Sequence, residues 1–194
     1  MTRLLAALAV VVLGVFLSGC NSKPAPFNAV DITGITGYGN DFRLVDHNGK
    51  PRTMADFHGK VVAIFFGFTF CPDVCPTTMS EMRSVMKSLG PQSEKLQVLF
   101  VTVDPARDTQ ELLAKYVPAF HPSFLGLRGD AEATAKVTRD FKIVARTVPG
   151  KTPDSYTVDH TAGTLIFDRQ GRLRLMAPYG MDAEKLAADI KRLM

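Results

Sequence analysis

The stretch Val61-Val62-Ala63-Ile64-Phe65-Phe66-Gly67-Phe68-Thr69-Phe70-Cys71-Pro72-Asp73-Val74-Cys75-Pro76 decides how this chain is read. From Val61 to Phe68 it is apolar throughout, the pattern of a central strand covered on both faces. The run then breaks into a short loop with two cysteines, and Met79, Met82, Met86 and Leu89 follow at helical spacing. Pro76 has no N–H and suits the first helical position, which makes Cys75 the expected N-cap and puts Cys71 in the turn before it. Both sulfurs then lie near the positive end of a helix dipole, where thiolate is favoured over thiol. The methionine stripe invites a metal–thioether reading, but its helical spacing favours core packing.

Outward from this stretch, Leu96 to Val103 reads as a second buried strand and Thr164 to Phe167 as a third. After the turn Arg169-Gln170-Gly171, Arg172 to Met176 reads as a fourth. Helical patterns cover Thr109–Val117, Ala131–Phe141 and Asp182–Leu193, with Asp130 and Asp182 as N-caps. Upstream, Phe42 to Val45 runs into Asp46-His47-Asn48-Gly49-Lys50, and an Asn-Gly pair between extended segments predicts a hairpin. The alternation predicts an α/β fold. A strand–cysteine–helix unit early and a hairpin plus helix late is a thioredoxin-like arrangement. The expected domain, residues 41–194, is a central sheet flanked by helices, with an N-terminal hairpin extension and an inserted segment.

The N-terminus is a different material. Arg3 supplies a positive charge, Leu4 to Leu17 is dominated by Leu, Ala and Val, and the run ends in Leu17-Ser18-Gly19-Cys20. A run this short with a small-residue end predicts a secretory signal over residues 1–19 rather than a permanent span. Its ending resembles the lipobox of bacterial lipoproteins, which implies cleavage before Cys20 and lipidation of that sulfur. Residues 20–40, rich in Pro, Gly, Asn, Ser and Thr, then read as a lipidated cysteine and a flexible tether, with room for a short edge strand near its end. The domain is expected outside the cytoplasm, held at the bacterial cell membrane and facing the periplasm or the outside. The formal charge is only +4 and no dense Lys/Arg cluster occurs, so no nucleic-acid partner is expected.

Three cysteines leave one unpaired in an exported protein. With Cys20 assigned to lipid, the remainder is one close pair, Cys71 and Cys75. Closing so short a loop removes little chain entropy, so the pair is there for chemistry. Its three intervening residues permit a redox disulfide and also let two sulfurs spread around an ion. Soft thiolates suit Cu(I), zinc or an iron–sulfur cluster. A cluster normally takes four cysteines, and zinc takes three or four protein ligands. Of the four histidines, His47, His58 and His121 fall in turns and loops. His160 immediately precedes the strand at Thr164, and in a thioredoxin-like sheet the loop entering that strand packs against the cysteine loop. Cys71, Cys75 and His160 are therefore the candidate metal ligands, with Cys71 and Cys75 also the candidate redox pair. Asp159 reads equally as a partner fixing the imidazole tautomer or as a plain loop carboxylate. Asp73 reads as a turn residue rather than a group tuning the site, and Asp104, Arg107 and Asp108 as a structural ion-pair and capping cluster in preference to a partner-docking surface.

Cys71-Pro72-Asp73-Val74-Cys75-Pro76, Val103-Asp104-Pro105-Ala106-Arg107-Asp108-Thr109 and Val158-Asp159-His160 together resemble the Sco/SenC family over roughly residues 40 to 193. Phe42-Arg43-Leu44-Val45 with Gly49, and Phe167-Asp168 with Gly171, fall in the family's order. Gln110 departs from the proline common in the family. The resemblance implies a membrane-tethered domain that binds copper through Cys71, Cys75 and His160; by donor chemistry two thiolates hold Cu(I) and the imidazole also suits Cu(II). It implies a role in assembling the binuclear copper site of cytochrome c oxidase, with a copper donor and a copper-receiving oxidase subunit as partners. The main alternative is an extracytoplasmic thiol–disulfide oxidoreductase acting on a partner's cysteines. A thiol peroxidase fits the paired Cys-Pro motif poorly, and a zinc-dependent structural module is at odds with a sheet able to fold without metal.

Overall fold

Strand β4 (Val61–Gly67) is buried along its whole length and is the axis of the fold. The computed structural model describes residues 25–152 and 155–194. The other strands are β1 (Val30–Asp31), β2 (Leu44–Asp46), β3 (Pro51–Arg52), β5 (Leu96–Thr102), β6 (Leu125–Arg128), β7 (Ala145–Pro149), β8 (Tyr156–His160), β9 (Thr164–Phe167) and β10 (Leu173–Ala177). The helices are α1 (Val74–Leu89), α2 (Gln110–Tyr116), α3 (Ala131–Asp140) and α4 (Ala183–Lys191). Eight strands form one sheet in the order β1-β10-β9-β4-β5-β6-β2-β3, while β7 and β8 form a separate pair. Beside β4, β5 runs parallel, Val61 facing Leu96 through Gly67 facing Thr102, and β9 runs antiparallel.

The pleat of β4 divides its side chains between two cores. Val61, Ala63 and Phe65 meet Met79, Met82 and Met86 of α1 and Leu186 and Ile190 of α4. Val62, Ile64 and Phe66 meet Val137 of α3, Phe141 and the N-terminal Phe42, Met54 and Phe57. Burying each such side chain contributes about 1.5–3 kcal/mol, which is why an unbroken apolar run settles at the centre. The methionine stripe is core, as its spacing predicts. Asp130 and Asp182 cap their helices, accepting from the N–H groups of Ala133 (2.8 Å) and Lys185 (2.9 Å). The Asp46–Lys50 turn joins β2 to β3, and β2 extends the sheet by pairing with β6.

Four readings are corrected. Helix α1 begins at Val74 with Asp73 in the N-cap position, so Cys75 sits inside the first turn rather than capping it. Pro76 is tolerated at the third helical position because first-turn amides have no intrahelical partner to lose. His47 is buried, not a surface turn residue: its Nδ1 accepts from the Gly126 N–H at 3.0 Å where β2 meets β6. Strands β6, β7 and β8 are additional to those expected. The inserted segment is thus a hairpin of its own.

The fourth concerns the stretch read as tether. Ala29 and Ile32 are buried, and β1 pairs with β10, Val30 facing Met176. The Asn28 and Ala29 N–H groups both donate to the carboxylate of Asp189, at 2.8 Å each, and Asp189 is fully buried in α4. Arg192 stacks over Phe27, 3.8 Å from the ring centroid. The folded part therefore starts near Phe27 rather than at residue 41. The signal segment and Cys20 lie outside the described residues. Among the described residues no helix is long and apolar enough to cross a membrane.

Candidate metal centre

Strand β4 ends at Gly67, and the chain must then turn into α1 within seven residues. A Cβ on Gly67 would stand 2.8 Å from Cys75 Sγ, 2.8 Å from Phe65 and 3.0 Å from Phe100. Only glycine lets the sulfur lie against the strand end. The loop closes with the Cys71 N–H donating to the Phe68 carbonyl at 3.2 Å. In the first turn of α1, the Cys75 N–H donates to Cys71 Sγ at 3.4 Å, so one orphan helix amide is satisfied by a thiol sulfur. Both cysteines are free, Cys71 half-buried and Cys75 fully buried.

His160 is the last residue of β8, and its Nε2 lies 3.4 Å from Cys75 Sγ. The sulfurs of Cys71 and Cys75 and an imidazole nitrogen of His160 all lie within 4.8 Å of one another. His160 Nδ1 is 3.1 Å from the Thr161 carbonyl. A proton assigned to Nδ1 donates to that carbonyl and leaves the Nε2 lone pair facing the sulfurs. The rings of Phe65 and Phe68 meet the imidazole edge-on, both at 5.9 Å. Burial pushes the imidazole below its ordinary value, so the neutral, ligating form is favoured at neutral pH. Burial likewise pushes the Cys75 thiol up, outweighing the backbone hydrogen bond at Phe68. The expectation of a favoured thiolate is thus corrected at Cys75; a bound soft cation would remove that proton instead.

The carboxylates near the site are structural. Asp159 is 61% exposed and faces Arg146 at 3.5 Å, across β8 from His160. The group within hydrogen-bond reach of the imidazole Nδ1 is the Thr161 carbonyl rather than Asp159. Asp73 is exposed and accepts from the Thr77 hydroxyl at 3.4 Å, so it organises the helix start. Asp108, fully buried, accepts from the hydroxyls of Thr69 and Thr102, both at 2.6 Å, and from the Thr69 N–H. It ties the cysteine loop to the end of β5. Asp104 pairs with Arg107, as an ion-pair cluster predicts. Among the described residues, His47, His58 and His121 stand outside the cysteine–histidine group. Gly67, Thr69 and Tyr156 shape the site and were not singled out by sequence. A glycine ending an otherwise bulky buried strand was the signal available for Gly67.

The SCO1/SenC family profile matches residues 31–194. The chain is 38% identical over 156 residues to the mitochondrial SCO2 homolog of Bos taurus, covering 79% of this chain and 59% of that protein. Among solved structures, ScoI of Bradyrhizobium japonicum with copper bound is 41% identical and superposes with a TM-score of 0.75, over 81% of this chain and 99% of that one. Yeast Sco1 with copper bound is 31% identical with a TM-score of 0.73, over 80% and 87% of the two chains. The thioredoxin-like sheet, the cysteine loop set between β4 and α1 and the histidine at the end of β8 thus occur in a chain that belongs to the SCO1/SenC family.

Proposed function

We propose that this protein is a copper metallochaperone that helps assemble the binuclear copper site of cytochrome c oxidase, carrying its cargo on Cys71, Cys75 and His160. The observation that carries the reading is the convergence of two thiol sulfurs and one imidazole nitrogen within 4.8 Å. Two thiolates suit Cu(I), and the imidazole suits Cu(I) and Cu(II) alike. Three ligands leave room for a fourth from a partner, so copper passes on by ligand exchange rather than by release into water. A copper donor and the copper-receiving oxidase subunit are the partners this reading requires. Relatives solved with copper bound support it.

The same proposal places residues 1–19 as a secretory signal and Cys20 as the lipidated anchor, holding the domain on the outer side of the cell membrane. Its support is the Leu4–Leu17 run and the Leu17-Ser18-Gly19-Cys20 ending. Thiol–disulfide exchange is the lesser reading, because the buried Cys75 thiol resists ionisation and only Cys71 is open to a partner.

The test is an anaerobic Cu(I) competition titration of the reduced, detergent-solubilised chain against a chromophoric chelator. One tight equivalent is expected, weakened at least about tenfold in His160→Ala, since even a ligand's hydrogen-bond partner is worth that much. Weak binding, or binding indifferent to His160, would overturn the three-ligand site.

A further inference from the structure

Strands β7 and β8 pair only with each other and stand outside the eight-stranded sheet. The imidazole therefore rides on an element that the main sheet's hydrogen bonds do not hold. On the inner face of β8, Tyr156, Val158 and His160 alternate with outward Thr157 and Asp159. Val158 is buried in the core, and Tyr156 makes the most specific contacts. Its hydroxyl donates to Asp104 Oδ1 at 2.8 Å, its carbonyl accepts from Arg107 Nη1 at 2.9 Å, and its ring lies 3.6 Å from the Arg107 guanidinium carbon.

Arg107 is itself fixed. Its Nε donates to Asp104 Oδ2 at 2.5 Å, and the Asp104 N–H donates to the Thr102 hydroxyl at 3.0 Å. The same guanidinium lies 5.0 Å from the ring centroid of Phe70 and 5.7 Å from that of Phe68, the two aromatic residues of the cysteine loop. One planar cation thus touches the loop that carries the thiols and the strand that carries the imidazole. From Tyr156 to His160 that strand is only about 13 Å long, so pinning one end and the middle leaves little play at the other.

We infer that Arg107, clamped by Asp104 and stacked on Tyr156, is a positioning residue that docks the β7–β8 hairpin against the cysteine loop and so sets the reach of His160 Nε2 toward the sulfurs. This rests on the copper reading of the site. Lysine at this position is a poor substitute, because it lacks the planar fork that stacks on one ring while donating to two acceptors.

Two measurements on the reduced full chain test the latch. Hydrogen exchange without added metal is read over residues 145–149 and 156–160 in the wild type, Arg107→Gln and Tyr156→Phe. Arg107→Gln leaves the Asp104 carboxylate without its cation, so Tyr156→Phe, which removes a single hydroxyl, is run beside it. Each variant should exchange there about tenfold faster, the effect of one lost charge-assisted hydrogen bond on a local opening, with β4 and α1 unchanged. Cu(I) titration is then run as a double-mutant cycle with His160→Ala. The Arg107→Gln variant should lose about tenfold in affinity with His160 present and nothing in the His160→Ala background. Unchanged exchange in the hairpin, or an equal affinity loss in both backgrounds, would overturn the latch. Should wild type and His160→Ala bind copper equally, the three-ligand site fails, and the exchange arm still decides the latch.

Discussion

The cysteine loop and the β7–β8 hairpin supply one candidate site from opposite kinds of structure. The loop sits between a fully buried strand and a helix whose inner face is core, and Asp108 binds it through both the backbone and side chain of Thr69. The hairpin shows four of the five residues of β7 to solvent, and Val144 at its base is 66% exposed. Local opening costs least where few apolar contacts must be broken, so the hairpin is the looser partner. The two sulfurs are thus placed by the strongest part of the fold, and the imidazole by a hairpin outside the main sheet that docks through Arg107 and Tyr156. In the proposed carrier role, the sulfurs would hold the cargo while the latched hairpin sets the reach of the imidazole.

The comparison breaks first at Gly67. Gly67→Ala puts a methyl 2.8 Å from Cys75 Sγ, and overpacking of this kind costs about 1–3 kcal/mol. A lowered thermal midpoint together with weakened Cu(I) binding is expected; a neutral result on both would mean that the loop is as adaptable as the hairpin. A smaller effect is expected at Asp168, which clamps the β9–β10 turn within the fastened sheet. Burial alone would raise its carboxyl, but Arg172, Arg174 and backbone N–H groups hold it below the usual range. Asp168→Asn should cost about 1.5 kcal/mol at neutral pH, the scale of a charge-assisted hydrogen bond. A group held low in the folded state stabilises fully above its unfolded value of about 3.9 and loses that effect as pH falls through the folded value. The melting gap between wild type and Asp168→Asn should therefore hold from pH 7 to about 4.5 and close below about 4. A gap independent of pH would remove the ion pairs from the account. The smallest effect belongs to the hairpin's own ion pair. Asp159→Ala should shift stability by less than about 0.5 kcal/mol and leave Cu(I) affinity unchanged, because the pair is exposed and faces away from the sulfurs.

The same division explains what could be read without coordinates. Unbroken apolar runs made β4 and β5 legible, and periodicity with Asp caps made α3 and α4 legible, because burial and local capping leave their mark on neighbouring residues. The candidate ligands were legible because soft, titratable side chains are few in this chain. The hairpin was not: Thr147, Val148, Thr157 and Val158 are β-formers, but only Val158 of these is buried, so the sequence carries little of the burial signal that marks β4 and β5. Nor was the seating of residues 27–32, since a Pro- and Gly-rich segment takes its order from Asp189, some 160 residues along the chain. Cys75 shows a third limit. Its place near a helix start suggested an ionised thiol, whereas its depth, which spacing cannot report, decides its protonation.

The Asp189 clamp on Asn28 and Ala29 also sets a working radius. From the proposed anchor at Cys20 to the clamped Asn28 is eight residues, at most about 28 Å of fully extended chain. With Cys20 as the anchor, as proposed, a domain on so short a leash would sweep a shallow layer above the bilayer instead of diffusing through the compartment. The proposed recipient would then have to present its copper site within that layer, and encounter would become a search in two dimensions.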